Sequence, residues 1–172
     1  IRDRIKGVLI DECGNILARG AIELQTFYPK PLWAEQDPSD YWRGFISIVT
    51  SILNKTKINP RLIKGIGISG QFPTICFIDK KGEPITRAIL YSDMRSMKEA
   101  KIISKKTGHK HTTYEAITKI LWFKRTRPIK FSKVRTVLTP SAYLAFKMSG
   151  NYGLDYLQAY SFGRVFEYRR LY

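Results

Sequence analysis

The spacing of apolar residues changes sharply around Pro38, and that switch constrains the fold more than any other feature. Upstream, Ile16, Ala18, Gly20, Ile22 and Leu24 alternate with polar neighbours, the period of a half-buried strand. Downstream, Trp42, Phe45, Ile46, Val49, Ile52 and Leu53 recur at helical spacing, predicting one apolar helix face running to about Lys57. Between them lies Tyr28 to Asp37, a loop held by Pro29 and Pro31, and Asp37 or Ser39 is placed to cap the helix with Pro38 in its first turn. Strand Lys6–Asp11, the turn Cys13-Gly14-Asn15 and the return strand Ile16–Phe27 complete a hairpin before the helix.

The rest of the chain continues the alternation. Asn59-Pro60 breaks the chain, and Leu62 to Ser69 is almost free of charge, which predicts a strand covered on both faces. Thr74–Asp79 and Ile85–Leu90 flank a turn at 80–83 and predict a second hairpin. Helices are expected over Met94–Thr107, ending at Gly108, and over Thr113–Arg125, stopped by Pro128. A short strand, Val134–Leu138, precedes a helix capped by Thr139, opened by Pro140 and ended by Gly150. The last twenty residues show no clear period. This order is α/β, and no low-complexity linker or repeat divides 1–172 into two domains.

Composition narrows the class. The chain has 172 residues, 44% of them hydrophobic and 13% aromatic, enough for one globular core and unlike a disordered chain. No apolar run is long enough to span a bilayer and no leader is seen, so a reducing cytoplasm is the expected compartment; Cys13 and Cys76 make no disulfide framework. The net charge is +16, of which residues 1–100 carry +4 and residues 101–172 carry +12. Such a field favours anionic partners, but the cations are dispersed, mostly Lys, and accompanied by no zinc spacing or RNA-recognition signature. A solvated Lys-rich surface is the favoured reading, and nucleic acid is not expected as a partner. A basic nucleic-acid-binding or scaffold domain is kept as the alternative.

The chemistry-bearing residues follow strand ends. Ser69-Gly70-Gln71-Phe72-Pro73 comes where open α/β sheets bind ligands, and Gln71 offers a donor and an acceptor to a hydroxylated substrate. Tyr91 supplies an aromatic plane for the apolar face of a sugar; Asp93, two residues before Arg95, is placed for a local charge pair, with helix capping by Ser92 or Asp93 as the structural reading. His109 and His111 have no carboxylate or Cys at ligand spacing and read as loop residues, so no metal site is assigned.

Several of these stretches resemble the N-terminal part of the FGGY family of carbohydrate kinases, the xylulokinase and glycerol kinase relatives. The resemblance rests on Leu32-Trp33-Ala34-Glu35-Gln36-Asp37-Pro38, the Gly70-Gln71 turn, Leu90-Tyr91-Ser92-Asp93-Met94-Arg95, and Thr118-Lys119-Ile120-Leu121-Trp122. Pro140 to Leu144 and Asp155 to Ala159 are weaker matches, read as structural. It implies a partial actin-like, ribonuclease H-like domain, a mixed sheet with flanking helices. It also implies a sugar pocket that includes Gln71, Phe72, Pro73, Tyr91, Asp93 and Tyr114, the last at a position where glycerol kinases carry a substrate-side tyrosine. Phe72-Pro73 stands where xylulokinases usually carry Met-His and glycerol kinases Arg-Glu, and Tyr91 replaces the usual Trp. The pocket edge is thus less polar and the substrate, a small sugar or polyol, is left open. So is homo-oligomerisation.

The family's Asp-x-Gly-Thr strand and its Gly-x-x-Asp base are not found here, so no catalytic residue is assigned and Asp3 is given no role. The resemblance implies ATP and Mg2+ as cofactors of a complete kinase, with neither expected on this chain alone. The chain by itself is expected to be inactive, an incomplete N-terminal kinase domain, or else a non-catalytic remnant. A sheet edge or apolar face left uncovered is a further expectation.

Overall fold

The computed structural model describes residues 3–162. It contains β1 (Arg4–Ile10), β2 (Ile16–Glu23), β3 (Glu35–Gln36), α1 (Pro38–Thr56), β4 (Cys76–Ile78), β5 (Ala88–Ile89), α2 (Met97–Thr107), α3 (Ala116–Thr126), α4 (Pro128–Phe131), β6 (Thr136–Leu138), α5 (Pro140–Ser149) and α6 (Tyr156–Ser161). All ladders are antiparallel: β1 with β2, β3 with β5, and β4 with β6. A bridge between Ile75 and Ile89 joins the last two, so backbone pairing runs β6–β4–β5–β3.

Burial explains why this run sits at the centre. Successive side chains of a strand point to opposite faces. Cys76 and Ile78 enter one core with Tyr41 of α1 and Leu138, Tyr143 and Leu144. Ile75 and Phe77 enter a second core with Ile89, Trp122 and Phe123. Phe77 stacks on Phe123 of α3 with centroids 4.1 Å apart. The sheet is therefore covered by helices on both sides, the layering of an α/β protein.

Local signals set the helix ends. The Asp37 carboxylate accepts from Ser39 N at 2.8 Å, making Asp37 the cap of α1. Thr139 caps α5 through Ala142 N, and α2 and α5 end at Gly108 and Gly150, both in the left-handed region. Pro128 does not only stop α3; its missing N–H suits a helix start, and it opens the single turn of α4. The most buried stripe of α1 is Tyr41, Gly44, Ile48 and Ile52; of the expected face Ile52 is buried and Trp42 and Phe45 pack against the same core, while Ile46 faces solvent. The stripe is centred on Gly44: a Cβ there would lie 2.7 Å from Ile5 Cδ1, so β1 packs onto the bare backbone.

The buried strand expected over Leu62–Ser69 does not form. Residues 60–62 make a 3₁₀ turn, and 63–72 carry no strand pairing among the described residues. Ile66 is 57% exposed, and nothing lies within 4 Å of a Cβ built at Gly65 or Gly67. The segment lacks charge because it is rich in glycine, not because it has two large apolar faces; only Ile68 packs on the core. The second hairpin is also looser than expected. Its arms touch at Ile75–Ile89 and Ile78–Pro84, but β4 makes its ladder with β6 and β5 with β3. The return strand stops at Glu23, and Phe27 makes only a bridge to Glu35. α2 and α3 begin three residues later than expected. The outer faces of β1 and β2 leave Val8, Ile10, Ile16 and Leu17 exposed, in keeping with the expected uncovered apolar face. Of the last twenty residues, 163–172 lie outside the described residues.

Candidate functional site

The site is organised by two residues, Glu35 and Gln36, that form β3 and pair with Ile89 and Ala88. Their side chains reach opposite ways, as strand neighbours do. Gln36 is 1% exposed and fully bonded. Its Nε2 donates to Asp3 Oδ2 at 3.0 Å and Thr26 Oγ1 at 2.9 Å; its Oε1 accepts from Tyr41 OH at 2.9 Å and Gln71 Nε2 at 2.8 Å. Burial pushes the Tyr41 phenol well above its ordinary range, so it stays a donor. Gln71 is thereby fixed at the start of the loop that carries Phe72 and Pro73. The turn is pinned from behind as well: a Cβ on Gly70 would meet Ser141 N at 3.0 Å.

Glu35 points to a second, charged cluster. Its Oε1 lies 2.8 Å from the Arg95 guanidinium, which also binds Asp93 through two nitrogens at 2.8 and 2.7 Å. This is the expected Asp93–Arg95 pair, in bidentate form. Asp93 is fully buried and also accepts from Arg95 N at 2.9 Å and Ala34 N at 2.6 Å. It therefore stitches the 90–95 loop to the residue before β3 and does not cap α2, whose first residue follows Ser96. The guanidinium plane lies 3.7 Å from the Trp33 ring centroid and 4.9 Å from that of Trp122, and the two indoles meet edge to face at 5.3 Å. A buried cation held by two carboxylates and two indole faces is well compensated.

Lys119 completes the cluster. It is fully buried, and its ammonium donates to the Thr113 carbonyl. Burial draws its pKa down to about 8; Asp93 opposes the shift and Arg95 adds to it. The bond anchors the residue preceding Tyr114, whose own side chain is exposed.

An open cleft of about 670 Å³ lies over this frame. Tyr91, Ser92, Trp33, Tyr28, Lys30 and Asp3 are in its wall. Tyr91 N donates to the buried Thr74 Oγ1 at 3.1 Å, which ties the cleft wall to the residue after Pro73. Of the residues singled out from sequence, Tyr91 lines this cleft. Gln71 is joined to it through Gln36 and Asp3, Asp93 lies buried beneath, Phe72 is exposed and Pro73 buried, and Tyr114 lies on the loop before α3. Trp33, Glu35, Gln36 and Lys119 were given no role from sequence. The signal for them was the Trp-Ala-Glu-Gln run itself, whose polar pair is buried on a strand too short to show any period. Contrary to the expectation that no carboxylate stands at ligand spacing, His111 binds Glu115, four residues on, at 2.5 Å, and also Thr107 at 3.0 Å, tying the end of α2 to the start of α3. Among the described residues no three of His, Cys, Asp and Glu come together as a metal-ligand group. No residue is assigned to a Mg2+–nucleotide site.

Residues 3–163 match the model of the N-terminal domain of the FGGY family of carbohydrate kinases. A xylulose kinase of Lactococcus lactis is 30% identical over 164 residues, covering 90% of this chain and 32% of the relative. A glycerol kinase of Thermococcus onnurineus is 28% identical over 166 residues, covering 90% and 34%. Among solved structures, a xylulose kinase of Brucella ovis superposes with a TM-score of 0.81 at 28% identity, covering 87% of this chain and 32% of that one. One from Rhodospirillum rubrum reaches 0.86 at 22% identity, covering 93% and 35%, and so speaks for the shared fold. The chain spans about a third of the length of these relatives. Their fold is the actin-like, ribonuclease H-like α/β architecture. The chain belongs to the FGGY family of carbohydrate kinases, matching the N-terminal domain of its members.

Proposed function

We propose that this chain forms the sugar-binding wall of an ATP-dependent carbohydrate kinase, which transfers the γ-phosphate to a hydroxyl of a small sugar or polyol. The observation that carries the reading is the shared support of the two substrate-side loops. Gln71 hangs from Gln36, while Asp93 and Arg95 hang from Ala34 and Glu35, all on or beside one two-residue strand. A rigid strand holding both loops fixes the geometry that a hydroxylated ligand needs. In this reading Tyr91, in the wall of the cleft, offers an aromatic face to the apolar side of the sugar; Gln71, Phe72, Pro73 and Tyr114 are assigned to the substrate side beyond that wall, and Asp93 acts from beneath by holding Ala34 and Arg95.

By itself the chain does not turn over ATP in this reading. Phosphoryl transfer is mostly positioning and stabilisation of phosphate charge, and it requires a base, a metal and a phosphate cradle. Among the described residues no three metal-ligating side chains come together, which supports the reading for the metal alone. ATP and Mg2+ belong to the complete kinase, of which 1–172 is one incomplete domain acting in the cytoplasm. Both cysteines are free thiols, which suits that compartment.

Thermal melting of the chain with a panel of pentoses, hexoses and polyols tests the pocket. One or a few of them should raise the midpoint in a concentration-dependent way. A flat response across the panel, both from this chain and from a version carrying the flanking sequence of a full-length relative, would remove the reading.

A further inference from the structure

Cations that look scattered along the sequence are concentrated in the segment that carries three packed helices, eight of them on the helices themselves. Residues 97–135 hold twelve Lys and Arg against two Glu, a net +10 within 39 positions. α2 packs on α3, and α3 on α4. Eleven of the twelve cations are exposed; Lys119 is the exception. Both acids are already engaged: Glu99 is buried, 3.8 Å from Arg125, and Glu115 holds His111. The contact of Arg125 with Glu99 brings the end of α3 against α2, and Lys124 lies 6.0 Å over the Phe131 ring of α4. On α2, Lys98, Lys101 and Lys105 recur at i, i+3 and i+7, a stripe roughly 10 Å long at 1.5 Å per residue.

We propose that this α2–α3–α4 face docks the phosphate backbone of a nucleic acid. The argument is charge complementarity. A concentration of like charges whose two acids are one buried and one bound to His111 is electrostatically unfavourable on its own, and a chain of closely spaced phosphates relieves it by releasing counterions. The eleven exposed cations, eight Lys and three Arg spread over the helices and their connections, suit backbone contacts, which carry no sequence information. An anionic membrane fits less well, because surface-seeking helices pair their cations with an apolar stripe. The exposed large apolar side chains here, Met97, Tyr114 and Ile129, lie on three different segments and make no stripe. The inference is independent of the sugar pocket.

Fluorescence anisotropy of the 172-residue chain with a labelled mixed-sequence DNA duplex, and with the matching RNA duplex, tests it. Binding is expected at about 50 mM salt, weakening by about 10³-fold by about 200 mM if some six phosphates are contacted. The triple variant Lys101→Glu, Lys105→Glu, Lys130→Glu should weaken binding at least about tenfold and flatten the salt dependence. Arg4→Glu, Lys6→Glu, Arg19→Glu on β1 and β2 removes the same charge elsewhere and should leave most of the affinity. Should the helical triple variant fail to melt cooperatively, the single exposed change Lys105→Glu replaces it, with a smaller loss and a shallower slope expected. Absence of binding at low salt, equal loss in both triple variants, or binding to phosphatidylserine vesicles but to neither duplex would each overturn the proposal.

Discussion

The side-chain amide of Gln71 donates to Gln36 Oε1 at 2.8 Å, and through that bond a surface loop and a buried strand thirty-five positions apart are one unit. Gln36 is shared by Asp3, Thr26, Tyr41 and Gln71, so replacing it touches four partners at once. Gln36→Leu fills the space but leaves the buried Tyr41 hydroxyl without its acceptor. A buried polar group left unsatisfied costs about 1–3 kcal/mol, so a loss of roughly 2–4 kcal/mol is expected across the cluster. Urea unfolding measures it. A variant as stable as the parent would mean that the cluster is solvated and does not hold the loop.

Arg95 should prove the least replaceable residue of the charged cluster. It carries a bidentate bond to Asp93, a bond to Glu35 and two indole contacts. Arg95→Met strands the buried Asp93 carboxylate and leaves half-buried Glu35 with only Arg87 at 3.9 Å, and is expected to cost roughly 3–5 kcal/mol. Arg95→Lys recovers only part, since an ammonium has no flat face for Trp33 and cannot bind both Asp93 oxygens in the same plane. The pair should be strongly coupled: Asp93→Asn combined with Arg95→Met should cost clearly less than the sum of the two. Additive losses in a double-mutant cycle would contradict the geometry.

Lys119 gives a pH signature whose sign is fixed by its environment. Its pKa falls from 10.5 when unfolded to about 8 in the fold. Folding is therefore penalised while the amine must stay protonated, and the penalty fades as pH rises from about 8 towards 10.5. The full shift corresponds to something on the order of 3 kcal/mol. Tyr41 and Tyr143, whose phenols are pushed up by burial, act in the opposite direction above pH 10. Comparison with Lys119→Met cancels them. The parent should gain stability relative to that variant between pH 7.5 and 10, read from paired urea titrations; a constant difference would show that Lys119 is not desolvated.

What the sequence revealed, and what it hid, follows from the range of the forces involved. Capping is local, so Asp37, Thr139, Gly108 and Gly150 were readable from their neighbours alone. So was the Asp93–Arg95 pair, two residues apart. The glycine-rich segment 62–69 misled because the absence of charge says nothing about whether a ladder partner exists; pairing is a property of the neighbour. The buried face of α1 was legible through Trp42, Phe45 and Ile52, but its centre at Gly44 was not, because glycine counts as neutral in a hydrophobic pattern yet is the point where Ile5 approaches. Glu35 and Gln36 were invisible as a hub, since each works through residues up to sixty positions away. Similarly, the cations of α2, α3 and α4 read as dispersed, because a sequence does not show that these helices pack on one another.

Two glycines three residues apart should respond in opposite ways to the same substitution, and the contrast tests how firmly the candidate loop is seated. A methyl group on Gly67 meets nothing within 4 Å, and its φ lies outside the left-handed region. Gly67→Ala should therefore be neutral or stabilising by about 0.4–1 kcal/mol, chiefly by restricting the unfolded chain. On Gly70 the same methyl would stand 3.0 Å from Ser141 N and 3.2 Å from Ser141 Cβ, at the first turn of α5. That backbone nitrogen belongs to a capped helix start and cannot yield easily, so the loop must move instead. Overpacking of this kind costs about 1–3 kcal/mol, and the displacement is transmitted directly to Gln71 and its bond to Gln36. Gly70→Ala should thus lower the urea midpoint and also diminish any sugar-induced shift in melting temperature, whereas Gly67→Ala leaves that shift unchanged. Equal behaviour of the two variants would mean that the Gly70–Gln71 turn floats free of α5, and the support proposed for the substrate-side loop would fail with it.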